Sequence, residues 1–160
     1  MKGNEQVLVS LNDLLADELT AINQYVVHAE MCANWGYQKL HGVIMKRAID
    51  EMKHAERLIE RILFLDTKPT VSKLKEIQIA DKVENQFQND LNAELMAVRV
   101  YNLAIKTCIE VGDNGSREIL DLILKDEEAH IDWLEAQLEQ IKQIGIQTYL
   151  AMQIPPAQGA

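Results

Sequence analysis

Proline is nearly absent, with three residues in 160, and glycine is scarce at seven. So few breakers cannot punctuate an all-β chain, which needs a turn roughly every ten positions. The two cysteines, Cys32 and Cys108, stand far apart with no C-x-x-C, which excludes a zinc knuckle, a rubredoxin-type iron site and a thioredoxin-like redox pair. They read as small buried hydrophobes. Positive charge is also short: 16 Lys and Arg against 25 Asp and Glu leave a formal charge of −9, whose field repels nucleic acid and anionic membrane surfaces. No nucleic-acid or membrane partner is expected, and cations are the natural ligands. No uncharged apolar run of about 18 residues occurs, and the opening MKGNEQVLVS lacks the apolar core of a signal peptide. A soluble, cytoplasmic protein is expected.

What is present is hydrophobic (48%) and charged (26%) in globular proportion, at a length that suits one domain over residues 1–160. The few breakers cut the chain into long pieces that predict helices over about 4–35, 40–65, 81–111 and 116–144, with a short fifth at 146–152 before a polar tail. Ser116 is the expected N-cap of the fourth helix, and Gly145 its C-terminal stop. Short links make helices one and two, and three and four, antiparallel hairpins. Residues 66–80 differ: they contain Pro69 and little helical period, and about 15 extended residues reach roughly 50 Å, enough to cross a whole bundle. The expected fold is all-α, a four-helix bundle with one long crossover between helices two and three.

Displacing the sequence by 76 residues aligns it with itself. Leu15, Glu18, Leu19, Ala21, Tyr25, Cys32 and Gly36 recur as Leu91, Glu94, Leu95, Ala97, Tyr101, Cys108 and Gly112, and Asp50, Glu51, His54 and Leu58 as Asp126, Glu127, His130 and Leu134. Glu18 and Glu94 fall at positions of the inward stripe where packing calls for an apolar residue. Glu51 with His54, and Glu127 with His130, are i, i+3 pairs on one helix face. Uncompensated burial of four carboxylates is prohibitive. Metal cations remove the objection, and a Glu from each of two helices plus Glu-x-x-His from each of the other two is the ligand set of carboxylate-bridged di-iron bundles. Oxygen donors with imidazole suit iron or manganese. Glu51 and Glu127 are expected to bridge, with Glu18 and His54, and Glu94 and His130, as terminal ligands; open coordination positions would admit O2 or H2O2. His28 and His41 have no repeat mate and read as ordinary helix or loop residues.

Several long strings resemble the bacterioferritin family: the opening MKG, ELTAINQY, AIDEMKHAERLIERILFL, VGD, DEEAHIDWLE and the IG…YL ending. The resemblance implies an iron-storage subunit of a hollow cage of twenty-four copies built from two-fold dimers. It implies a ferroxidase that oxidises Fe(II) with O2 or H2O2 at two iron ions per subunit, held by Glu18, Glu51, His54, Glu94, Glu127 and His130, and that deposits ferric mineral inside. It further implies haem b, one per subunit pair, ligated by Met52 from each subunit and passing electrons from a ferredoxin-type reductant for iron release.

Helix geometry is compatible with that role for Met52, which lies about 100° from Glu51 and about 160° from His54 around the helix and so points away from the metal core. Met45, Ile49, Met52 and Ile59 form a second apolar stripe, joined by Leu19, Ile22 and Val26 on the first helix, whereas the fourth helix has Asp121, Lys125, Glu128 and Glu135 in the corresponding places. That asymmetry predicts a symmetric dimer through the first hairpin. One departure from the family pattern is Lys46, beside Arg47, where some relatives carry a histidine that forms an inner-surface iron site with Asp50. Tyr25 and Trp133 are the expected aromatic neighbours of the centre. A rubrerythrin-like peroxidase or manganese catalase shares the two-metal core, but rubrerythrin adds a four-cysteine iron site; a non-catalytic scaffold leaves the six matched donors unexplained.

Overall fold

Asn4 turns the chain into its first helix, its side-chain oxygen accepting from the backbone N–H groups of Gln6 (2.9 Å) and Val7 (3.4 Å). The computed structural model describes residues 1–156. It has five helices: α1 (Glu5–Asn34), α2 (Gln38–Phe64), α3 (Val83–Val111), α4 (Asn114–Ile144) and α5 (Ile146–Ala151). The last residues of the expected polar tail, 157–160, lie outside the described residues. α1 packs mainly on α2 and α3 on α4, with α1 against α3 joining the hairpins into a four-helix bundle.

Both hairpins turn by the same device. Gly36 (φ 86°) and Gly112 (φ 74°) adopt left-handed backbone. The N–H of the next residue then returns to the carbonyl of a buried cysteine, Tyr37 to Cys32 and Asp113 to Cys108, both at 2.8 Å. The internal repeat therefore extends to the helix stops.

Three helix starts differ from those expected, two of them because a polar partner intervenes. Ser116 is not the N-cap of α4: the Asp113 side chain takes that place, accepting from Ser116 N–H at 3.0 Å, and α4 begins at Asn114. α2 opens at Gln38, two residues before the expected start, with no side-chain cap. α3 opens at Val83, after Asp81, because Ala80 is already bound: its N–H goes to His28 Nε2 (3.3 Å) and its carbonyl accepts from Gln86 Nε2 (3.0 Å).

The crossover between α2 and α3 has no regular structure of its own, yet four of its backbone N–H groups are satisfied by one polar stripe of α1. Thr70 donates to Asn12 Oδ1 (2.8 Å), Lys75 to Thr20 Oγ1 (2.8 Å), Gln78 to Gln24 Oε1 (2.9 Å) and Ala80 to His28 Nε2. These acceptors stand four or eight residues apart, so they share a face, and the strap is led along α1 from one end of the bundle toward the other. Asp90 of α3 anchors the far end by accepting from Gln24 Nε2 (2.8 Å) and meeting His28 Nδ1 at 3.0 Å. His28, read from sequence as an ordinary helix residue, is fully buried and structural; His41 faces Glu30 at 3.4 Å near the surface.

The apolar core falls into two clusters. Leu11, Leu14, Leu58, Ile62 and Leu120 lie in one, and Ile44, Phe87, Leu91, Leu134 and Tyr149 in the other. Fully burying each such side chain contributes about 1.5–3 kcal/mol. α5 closes the second cluster, with Tyr149 buried and its hydroxyl donating to Gln137 Oε1 at 2.7 Å. Replacing Gln24 with Leu should strand the Gln78 N–H and take away one of the two partners of Asp90 Oδ1, leaving it to His28 alone. The expected cost is about 1–3 kcal/mol in urea unfolding, with faster amide exchange along the strap; unchanged stability and exchange would show that the strap is held otherwise.

Candidate metal centre

Between the two apolar clusters lies a polar layer to which all four long helices contribute at mid-length: Glu18 from α1, Glu51 and His54 from α2, Glu94 from α3, Glu127 and His130 from α4. The helical period carries each apolar stripe up to the layer and resumes it beyond, as in Leu14, Glu18, Tyr25 on α1 and Ile123, Glu127, Leu134 on α4. Each of the four carboxylates is at most 3% exposed. The six donors form two sets, Glu18, Glu51, His54 and Glu127, and Glu51, Glu94, Glu127 and His130, within each of which one ligand atom per residue lies within 4.8 Å of the others. Glu51 and Glu127 belong to both.

Both imidazoles present Nδ1 to the carboxylates. His54 Nδ1 is 2.8 Å from Glu51, 3.3 Å from Glu127 and 3.5 Å from Glu18; His130 Nδ1 is 3.0 Å from Glu51 and 3.4 Å from both Glu94 and Glu127. Yet His130 Nδ1, Glu51 Oε1 and Glu127 Oε2 are buried without a hydrogen-bond partner. Atoms this close that do not bond one another are aimed at a common point, the signature of donors converging on a cation. The donor set therefore fits a pair of hard or borderline divalent ions.

The surroundings fix the donors in place. The Tyr25 hydroxyl donates to Glu94 Oε1, the oxygen that also faces His130, and the Tyr101 hydroxyl donates to Glu18 Oε1, leaving Oε2 toward His54. Tyr101 was not among the expected site residues, although its place as the repeat mate of Tyr25 marked it. On the far side, Asp126 Oδ2 meets His54 Nε2 at 3.2 Å and orients the ring. Its repeat mate Asp50 pairs with Lys53 at 2.9 Å. Trp133 stands outside the layer, packed edge-on against Phe87 with its face under the Arg47 guanidinium. Met52 points away and is 47% exposed, beside Ile49 and Val26 on the outer shoulder.

The layer's electrostatics divide its carboxylates into two kinds. Burial would raise Glu51, but His130 and His54 outweigh it and hold its carboxyl down at about 2; Glu127 is likewise lowered against its burial by the same two rings. Glu94 is pushed up to about 8 by burial, with His130 opposing and the charges of Glu127 and Glu51 adding. Glu18 is raised well above its ordinary value by the same burial. Burial would lower the imidazoles, but the surrounding carboxylates raise both, His130 to about 11. Protons are thus favoured on the imidazoles, Glu18 and Glu94, and the anionic form on Glu51 and Glu127. Two divalent ions with four carboxylates and two neutral imidazoles would give zero net charge.

An all-helical bundle with one long crossover and a buried cluster of carboxylates and imidazoles at its waist is the ferritin-like class. The profile of the ferritin-like domain matches residues 9–144. The chain is similar to the bacterioferritin of Mycolicibacterium paratuberculosis (39% identical over 98% of this chain and all of that one), to bacterioferritin BfrA of Mycobacterium tuberculosis (40%, covering 94% and 95%) and to the bacterioferritin of Mycobacterium leprae (38%, covering 98% and all). It belongs to the bacterioferritin family.

Because protons are favoured on the imidazoles, Glu18 and Glu94, cation binding displaces protons from the layer. Titrating the iron-free protein at pH 7 with a redox-inert divalent ion should release up to four protons per chain, from Glu18, Glu94, His54 and His130, with affinity rising as pH climbs through the Glu94 value of about 8. Binding without proton release, at a pH-independent affinity, would contradict this protonation pattern.

Proposed function

We propose that this chain stores iron, oxidising Fe(II) with O2 or H2O2 at a two-iron ferroxidase centre within each subunit. Glu51 and Glu127 bridge the ions, while Glu18 with His54, and Glu94 with His130, each bind one. The observation that carries the reading is the convergence of six buried donors in two sets sharing Glu51 and Glu127, with three of their atoms otherwise partnerless. Two Fe(II) supply two electrons. O2 takes them up with two protons to give H2O2, or H2O2 takes them up with two protons to give water, and Fe(III) passes to the mineral.

The protein's part is to gather, orient and neutralise. An opening of about 370 Å³ between α1, α3 and the crossover reaches Glu18, Glu51, Glu94 and Glu127 past Asp17 and Glu76, an acidic approach suited to Fe(II). Lys75 spans its rim, pairing with Asp17 at 2.7 Å and Asp13 at 3.3 Å. Tyr25, through Glu94, and Trp133, near His130, are placed to pass electrons if oxidant exceeds iron.

Membership of the family and the exposed apolar shoulder of α1 and α2 support a homo-oligomeric cage. In the proposed form it has twenty-four subunits, assembled in the cytoplasm from two-fold dimers through that shoulder. A soft thioether at the centre of an apolar stripe suits haem iron, with Met45, Ile49 and Ile59 of α2 beside it. Met52 from each of two copies would hold one haem b, which when bound supplies electron transfer into the core, from a ferredoxin-type reductant, for iron release. No helix among the described residues is long and apolar enough to cross a membrane.

Glu94→Ala or His130→Ala should slow the rapid phase of Fe(II) oxidation by about 100-fold or more, since loss of even an outer partner of a metal ligand costs about 10–100-fold, with helical circular dichroism preserved; an unaltered rapid phase would defeat the assignment. Met52→Leu should remove the haem absorption band and leave Fe(II) oxidation intact, and a retained band would exclude Met52 as the ligand.

A further inference from the structure

The polar layer has a second opening, on the opposite side from the acidic approach. It lies between α2 and α4, encloses about 420 Å³, and has His54 and His130 in its wall. Its charge is of the other sign. Lys46, Arg47, Lys53 and Arg57 line it; Lys46, Lys53 and Arg57 share one face of α2, and Arg47 lies about a quarter-turn around, against α4. The only carboxylates in its lining are Asp50 and Asp126, and both are engaged: Asp50 with Lys53 at 2.9 Å, Asp126 with His54 at 3.2 Å and with Arg57 at 3.9 Å. Lys46 and Arg47 have no carboxylate partner within 4.0 Å among the described residues.

Arg47 is the informative member. It is only 6% exposed, donates to the His130 carbonyl at 3.2 Å, and lies over the Trp133 ring at 4.6 Å. A guanidinium this buried ordinarily has an anion, because burying a charge without one is costly. Its planar fork, held by the indole beneath it, is preorganised for an oxyanion. That the chain carries a net charge of −9 and yet gathers four cations at this mouth makes chance clustering a poor account.

We propose that the α2–α4 opening is a binding site for a tetrahedral oxyanion, inorganic phosphate, held by Arg47 and Lys46 with Lys53 and Arg57 at the rim. The aromatic face that would stack an organic ring is already covered by Arg47, which favours the free ion over a phosphate ester. The binding rests on this pocket alone; its purpose, delivering phosphate to emerging Fe(III), rests on the iron-storage reading.

The test is calorimetric titration of the iron-free, full-length protein with inorganic phosphate and, in parallel, with a phosphate monoester, at constant ionic strength. Wild type should bind one inorganic phosphate per chain saturably and more tightly than the ester. Arg47→Gln, and the exposed-site variant Lys46→Glu for the case that Arg47→Gln does not fold, should weaken binding by at least about tenfold, charge-assisted contacts being the strong ones. Lys142→Gln, far along α4, should bind as wild type. Absence of saturable binding, tighter binding of the ester, or wild-type affinity in Lys46→Glu would overturn the proposal. Fe(II) oxidation measured in phosphate-free buffer keeps a failure here separate from a failure of the ferroxidase reading.

Discussion

Four carboxylates in one buried layer cannot all be charged unless positive charge is placed among them, and the rest of the structure follows from how that is arranged. The surrounding carboxylates favour protonated imidazoles and burial favours protonated Glu18 and Glu94, so positive charge lies opposite Glu51 and Glu127, which the two rings hold down. Two divalent ions would balance four carboxylates in full. Charge balanced in this way lets a polar waist be carried through the middle of a bundle without repelling its own helices apart.

The fold is organised to hold that layer flat. The apolar core is interrupted at one level and resumes above and below it, so the donors are clamped between two packed clusters. Tyr25 and Tyr101, related by the repeat, each secure a carboxylate on the other hairpin, which locks the two halves across the pseudo-two-fold axis. The repeat is broken where the two sides of the site must differ. One face is crossed by the strap, pinned to α1, and opens through Asp17 and Glu76; the other opens through Lys46 and Arg47.

The bundle, its crossover and the convergence of the six donors were legible from sequence because duplication made them visible: a glutamate at a core position is ambiguous once, but Glu18 and Glu94 recur 33 residues before matched Glu-x-x-His pairs. The hairpin stops were legible for the same reason. What was not legible depends on partners distant in sequence. Ser116 has the chemistry of an N-cap, but Asp113, itself anchored by Arg61 at 2.7 Å, takes the position. His28 has no repeat mate, and its role exists only because the strap passes over it. Asn12, Thr20 and Gln24 carry no signal in the sequence, because their partners are three backbone N–H groups of the crossover 54–58 residues away. Arg47 is marked in the sequence only as the neighbour of Lys46, and its burial against Trp133 of another helix has no local sequence signal.

The central claim is that six side chains hold two metal ions at the waist of the bundle. Crystals soaked anaerobically with Fe(II) and measured at the iron absorption edge test it most directly. The account predicts two anomalous peaks per subunit between the helices, both within bonding distance of Glu51 and Glu127, with Glu18 and His54 on one and Glu94 and His130 on the other. A layer with no anomalous density, its carboxylates and imidazoles bonded only to one another, would contradict it.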